Sequence, residues 1–307
     1  MSNKICSCDA VVGNLALPKC SPIFGKPSRI IFAPVFKSDG TKFGIDSASA
    51  LDTTYFNGLQ FAVDPNARIY PVPADLKNVK FERTDPDYQE FEDKSKYKLN
   101  EGSKSFEAIL PEVSNLYLQE LEKAECSSIG FYFVDVNGTI VGIDSQDGTG
   151  LLYSMPIAKG TMDYKFIHAT DTTIQQIMVR FEVASSVCDS EMGAILASEM
   201  PYDLRNLVGI MGGTLAEVSN TLTGIVLTAK MIYGSVGVKV PITLLLSGDM
   251  VLYNTTTSAA IVITSVTEAP NGTYTLVFAA QTASDAYTLT ATKEAFSFNV
   301  LAGTLTA

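Results

Sequence analysis

Two β-rich units in tandem are what this sequence predicts, and three observations predict them. Short β-branched or alternating runs recur along the chain with turn residues between them. Helical periodicity is sustained in only one place. The composition also breaks near residue 200: 18 of the 22 Lys and Arg and 27 of the 33 Asp and Glu lie before it, and the remainder is rich in Thr, Val, Leu, Ala and Gly. A shift of that kind marks a domain boundary, with Pro201–Gly209 and the glycines of Met211–Gly213 as the expected linker, residues 201–213.

In the first unit, SRIIFAPVF (28–36), LKNVKFERT (76–84), KSFEAILPE (104–112) and SIGFYFVDV (128–136) read as strands. TIVGIDSQ (139–146) follows Asn137-Gly138, the dipeptide of a two-residue hairpin turn. YKFIHAT (164–170) and QQIMVRFEVA (175–184) close the unit. Between two of these strands lies PEVSNLYLQELEKAEC, in which Val113, Leu116, Tyr117, Leu121 and Ala124 fall at helical spacing and Ser114 can cap. One helix cannot cover so long a sheet, so a barrel or folded sheet with one packed helix is expected over residues 28–200.

The second unit reads as TLTGIVLTAK (221–230), AIVITSVTEA (260–269), TYTLVFAA (273–280), AYTLTATK (286–293) and FSFNVLAG (296–303). Pro270-Asn271-Gly272, between two of these runs, is its strongest hairpin signal. Strands at this spacing suggest a sandwich of about seven strands over residues 214–307. It would be immunoglobulin-like without the Cys–Trp–Cys core, since the chain has no tryptophan.

The totals exclude several classes. Apolar residues make up 46% of the chain, enough to build a core. A net charge of -11 and a pI near 4.6 argue against nonspecific binding to nucleic-acid phosphates. The start, MSNKICSCDA, lacks a secretory pattern, and no apolar run is long enough to span a membrane, so assembly in cytosol is expected. Five cysteines without framework spacing then read as free thiols. Cys6, Cys8 and Cys20 could supply three zinc ligands, but CxC is not the usual CxxC pair.

Catalytic motifs are missing from the sequence. The single histidine, His168, sits on an alternating run and reads as a packing or surface residue. Gly209–Gly213 lacks the Lys-Ser/Thr of a phosphate loop. Asp135, Asn137, Asp144 and Asp147 offer oxygen ligands, yet the calcium-loop pattern fails and the hairpin accounts for Asp135 and Asn137. The expectation is a protein that is no enzyme and carries no metal or cofactor.

One stretch stands apart. Phe81–Leu110 holds eight acids and five bases, with Tyr88, Phe91, Tyr97 and Phe106 among them. Its middle is too long for a tight turn and too aromatic for an idle loop. It could lie on a neighbouring subunit, with its charges as a rim, or curl as a long hairpin against its own domain. Asp85, Asp87, Tyr88, Glu90, Phe91, Glu92 and Asp93 are the expected subunit-contact residues.

The succession VKFERTDPDYQEFEDKSKYKLNEGSKSFEAILPEVSNLYLQELE, then IGFYFVDVNGTIVGI, resembles the tail tube proteins of long-tailed bacteriophages. The resemblance covers roughly Ser28 to Ala184 and rests on element order and phrasing rather than an invariant motif. The trailing unit resembles the immunoglobulin-like decorations of phage tail proteins. The first 27 residues match nothing, and the resemblance implies an extended N-terminal arm there. It also implies a tail-tube-like fold, hexameric rings stacked into a tube, other tail proteins as partners and a place in the virion tail after assembly in host cytoplasm. DNA would pass an acidic wall without specific binding, and no membrane would be involved. A capsid or capsid-decoration protein would share the composition. An adhesion module would want Trp and an export signal, and a hydrolase would want an acid/base set.

Overall fold

The computed structural model describes residues 24–62, 64–72, 75–99, 102–113, 116–125, 128–234, 238–293 and 296–306. The N-terminal arm expected over residues 1–27 falls almost wholly outside them, as do Cys6, Cys8, Cys20, Cys126, Ser114 and the side chain of Ala124. The fold is mainly β, and the chain divides between Gly209 and Ile210 into two compact units.

Unit 1 runs β1 (Pro27–Pro34), β2 (Gly44–Asp46), α1 (Thr53–Gln60), β3 (Tyr70–Pro71), β4 (Lys77–Arg83), β5 (Tyr88–Glu90), β6 (Lys96–Lys98), β7 (Lys104–Pro111), α2 (Leu116–Glu125), β8 (Ile129–Asp135), β9 (Ile140–Asp144), β10 (Leu151–Tyr153), β11 (Met155–Pro156), β12 (Asp163–Ile167), β13 (Gln176–Val183) and β14 (Met192–Ile195). The largest sheet has the order β2-β10-β9-β8-β1-β3, with β11 on β8 and β14 on β9. A second sheet has the order β12-β13-β7-β4, and β5 and β6 pair only with each other.

The centre is the antiparallel pair β1 and β8, registered with Phe32 opposite Phe131 and Ile31 opposite Tyr132. Successive side chains of a strand point to opposite faces. On one face Ile30, Phe32, Phe131 and Phe133 meet Phe106, Ile177, Val179 and Phe181 of the second sheet. On the other, Ile31, Ala33, Tyr132 and Val134 meet Phe43, Leu51, Phe56 and Leu204. Burial on both faces is why IIFAP and FYFV read as unbroken apolar runs. KSFEAILP in β7 alternates strictly because only one of its faces is covered. The Phe106 and Phe181 rings stack at 5.0 Å, and Phe131 meets Phe181 edge-on at 4.8 Å.

The expected helix is present as α2, with Leu121 buried and Tyr117 and Leu118 packed on the first core. The structure adds a second helix, α1, on the far face of the central sheet. Asp52 caps it by accepting from the Tyr55 amide at 2.9 Å. Phe56 is fully buried, and Gln60 donates to the Val208 carbonyl at 2.7 Å. The expectation of one helix is corrected accordingly: both faces of the central sheet need a cover.

Unit 2 runs β15 (Met211–Thr221), β16 (Gly224–Gly234), β17 (Lys239–Pro241), β18 (Met250–Asn254), β19 (Ala259–Ile261), β20 (Ile263–Ala269), β21 (Thr273–Phe278), β22 (Ala286–Lys293), β23 (Phe296–Phe298) and β24 (Leu301–Thr304). The order is β19-β18-β22-β23-β15-β16-β21-β20, with β17 on β16 and β24 on β22. β18, β19, β22 and β24 form one layer, and the rest form the other. One core holds Leu252, Tyr287 and Leu289 from the first layer with Ile225, Leu227 and Leu276 from the second.

Three readings change here. Ten strands replace about seven: the runs 260–269 and 296–303 each split in two, and β15, β17 and β18 join the five runs named from the sequence. Leu222-Thr223 is a two-residue turn between β15 and β16, not the start of a strand. The glycines Gly212 and Gly213, read as linker, open β15. A Cβ on Gly213 would lie 2.7 Å from the Phe298 ring, so glycine serves close packing there.

Candidate functional site: an exposed charged hairpin

The charged stretch leaves unit 1 as a hairpin continuing the β4–β7 pair. β5 opposes β6 with Tyr88 against Lys98, Gln89 against Tyr97 and Glu90 against Lys96. Glu90 and Lys96 approach to 3.5 Å. The Leu99 amide donates to the Asp87 carbonyl, and the Phe91 amide to the Ser95 carbonyl. The tip closes on Lys94 at φ 65, and Asp93 there accepts from the Ser95 amide at 2.9 Å. The Ser95 hydroxyl is the main reason the Asp93 carboxyl sits below its ordinary pKa.

All seven expected contact residues are solvent-exposed on this hairpin. The structure brings Tyr88, Glu90 and Phe91 together on the outgoing strand. Asp93 is engaged in making the turn. Two residues outside the expected contact set complete the surface. Alternation puts Tyr97 and Leu99 on the same face as Phe91, and these three are 60%, 52% and 48% exposed. Cross-strand register, which single-strand patterning does not give, is the signal that finds them.

Its root is held firmly. Arg83 opposite Lys104 is the last pair of the β4–β7 ladder. The Thr84 amide donates to the Ser103 carbonyl at 2.9 Å, and the Ser103 amide donates to the Thr84 hydroxyl at 2.8 Å. Gly102 sits at φ +79, where a Cβ would lie 2.2 Å from the Thr84 carbonyl oxygen. Asp189 takes both root cations, Lys104 Nζ at 2.6 Å and Arg83 Nη1 at 2.8 Å. Lys104 Nζ also donates to the Val187 carbonyl at 2.7 Å. Burial is the largest influence on the Asp189 carboxyl and raises its pKa, but Lys104 and Arg83 together outweigh it and hold the group below its ordinary value.

Cys188, beside Asp189, is disulfide-bonded, which corrects the expectation of a free thiol at this position. A cavity of about 230 Å³ lies here, lined by Arg83, Lys104, Glu182, Cys188 and Asp189 among others. Asp189, Lys104 and Arg83 within it are spent on each other, so they read as the anchor of the hairpin.

The other candidate chemistry is structural. Asp135 is fully buried. Its carboxylate accepts from the Gly25, Asn137 and Thr139 amides at 2.8–2.9 Å, which uses it as the cap of the β8–β9 turn. Asp144 and Asp147 are exposed beyond it, with Asp147 held at about 2 chiefly by the Thr149 hydroxyl. No group of three metal-capable side chains occurs among the described residues. His168 is exposed just past β12, with its ring edge-on to Phe166 at 4.8 Å. Asn254, in an Asn-x-Thr sequence, is buried, and its amide donates to Asp285 at 2.9 Å.

No helix among the described residues is long and apolar enough to cross a membrane. No family model, curated protein or solved structure matches this chain.

Proposed function

We propose that this chain is a structural subunit of a bacteriophage tail tube, assembling with copies of itself into stacked rings. The observation that carries the reading is the hairpin. It is a rooted, hydrogen-bonded element that presents Phe91, Tyr97 and Leu99 to solvent, and among the described residues its two strands pair only with each other. Apolar faces of that kind are interface material. The second sheet adds to this, because its edge strands β4 and β12 each have a strand partner on one side only.

The acidity of the first unit suits a channel that DNA phosphates pass without sticking, since like charges repel. The role is structural, with no catalysis, cofactor or metal. Other tail proteins are the further partners, the location is the virion tail, and the near-neutral second unit is a decoration of the tube.

Negative-stain electron microscopy of the concentrated protein at low salt tests this. Hollow tubes or stacked rings are expected. Closed shells or trimers would shift the reading to a capsid or capsid-decoration protein. Particles that stay monomeric at every concentration would sink it.

A further inference from the structure

Asparagine followed by glycine occurs three times in the chain, at Asn57, Asn137 and Asn271. The pair is chemically reactive. The glycine amide nitrogen, with no Cβ beside it, can attack the side-chain carbonyl carbon of the asparagine. A C–N bond forms, ammonia leaves, and the product is a five-membered succinimide ring. Water then opens that ring to aspartate or to its isoaspartate isomer. The reaction needs a side chain free to turn and an amide free to meet it, so the fold decides which pair reacts.

Two of the three are held. Asn57-Gly58 lies inside α1, where the helical hydrogen bonds fix the backbone of both residues. Asn137 is tied to the buried Asp135 twice: its Nδ2 donates to one carboxylate oxygen at 3.3 Å and its amide donates to the other at 2.8 Å. The Gly138 amide, which would be the nucleophile, donates to the Asp135 carbonyl at 3.0 Å.

Asn271-Gly272 differs. It forms the turn from β20 to β21, and β20 is an edge strand. Asn271 is exposed, and its side chain makes no hydrogen bond among the described residues. The turn itself selects the reactive pair. Asn271 has φ 66 and Gly272 has φ 68, the left-handed region that asparagine and glycine enter most cheaply. A Cβ on Gly272 would lie 2.5 Å from the Ala229 carbonyl oxygen and 2.9 Å from Pro241 Cβ, so the turn demands glycine there.

We infer that Asn271 is a site of spontaneous deamidation, the one Asn-Gly pair that the fold leaves reactive. Each event turns a neutral side chain into a carboxylate, in a unit that holds only three Lys and five Asp or Glu. The isoaspartate product also lengthens the main chain by one atom where Gly272 is wedged against β16, and so loosens the β20–β21 hairpin. None of this depends on whether the chain builds a tube.

Peptide mapping by mass spectrometry tests it, on the full folded chain aged in mildly alkaline buffer, where the glycine amide is more nucleophilic. Conversion at Asn271 should run about tenfold or more faster than at Asn57 or Asn137, because those two must first open locally. Ageing the chain unfolded in urea removes that protection and should bring the other two up to the Asn271 rate. Asn271→Gln, whose longer side chain closes the ring far more slowly, should abolish conversion at this position. An Asn271 that survives in the folded chain but converts in urea, or an Asn137 that converts as fast as Asn271 when folded, would overturn the assignment.

Discussion

Two antiparallel ribbons in unit 1 invite comparison: the central pair β1 and β8, and the hairpin of β5 and β6. Both are two strands held by the same backbone hydrogen bonds. The first is covered on both faces and carries no charge between Ile30 and Pro34. The second is exposed on both faces and carries a charge or an aromatic ring at most positions. Stability is stored where both faces bury apolar side chains, because transfer from water scales with the area removed. The hairpin contributes little of that kind, so its side chains are available to a partner. Four changes would break or sharpen this contrast.

Phe131→Ala should have the largest effect. The ring is fully buried between Phe106 and Phe181, and truncating a buried Phe costs about 3–5 kcal/mol. The midpoint of urea unfolding measures it, and a loss under about 1 kcal/mol would mean the aromatic cluster is not the core. Gly102→Val comes next, at about 1–3 kcal/mol, from a β-branched residue forced to positive φ against the Thr84 carbonyl. Hydrogen exchange should show the loss at the Phe91, Lys94 and Leu99 amides while the β1 and β8 amides stay protected. Faster exchange throughout unit 1 would deny that the two ribbons are independent.

Tyr132→Phe is smaller, at about 1 kcal/mol, from the lost hydrogen bond to the Leu152 carbonyl. It also carries a pH signature. Burial is the main cause that raises the Tyr132 pKa well above its ordinary value. The unfolded chain therefore releases this proton first, at a pH of about 10. The stabilisation is complete below that pH and is lost as pH climbs toward the folded value. Thermal melts from pH 8 upward should decline less steeply for Tyr132→Phe than for wild type. The smallest stability effect belongs to Phe91→Ser with Tyr97→Ser, within about 0.5 kcal/mol. A melting temperature that falls like that of a core variant would show that these rings pack on their own domain after all.

The same contrast explains what was legible in the sequence. SRIIFAPVF and SIGFYFVDV announce the central strands because nothing in them competes with burial, and KSFEAILPE announces β7 by its alternation. α1 was hidden for the opposite reason. TTYFNGLQ pairs two β-branched residues with Gly58, a poor helix former, and the segment is helical because Phe56 and Gln60 are held from outside it. The Asp52 cap followed by Tyr55, Phe56 and Leu59 was the available signal. The charged stretch was legible as a subunit-contact loop or a long hairpin but not in its strand register, because Lys and Glu are weak strand formers and the pairing follows from the β4–β7 ladder beneath it. Its anchor was out of reach, since Asp189 lies 106 residues beyond Arg83 and no local pattern ties them.

In unit 2, β23 joins the layers: it runs parallel to β15 on one side and antiparallel to β22 on the other. During synthesis β15 and β16 can pair as soon as both have left the ribosome, since only two residues separate them. β18 can pair with β19 soon after, but its other neighbour, β22, comes later, and the junction between layers must wait until Phe296–Phe298 has been made. For most of its translation this unit is an open sheet with its core side wet, and it closes only when its last strands arrive.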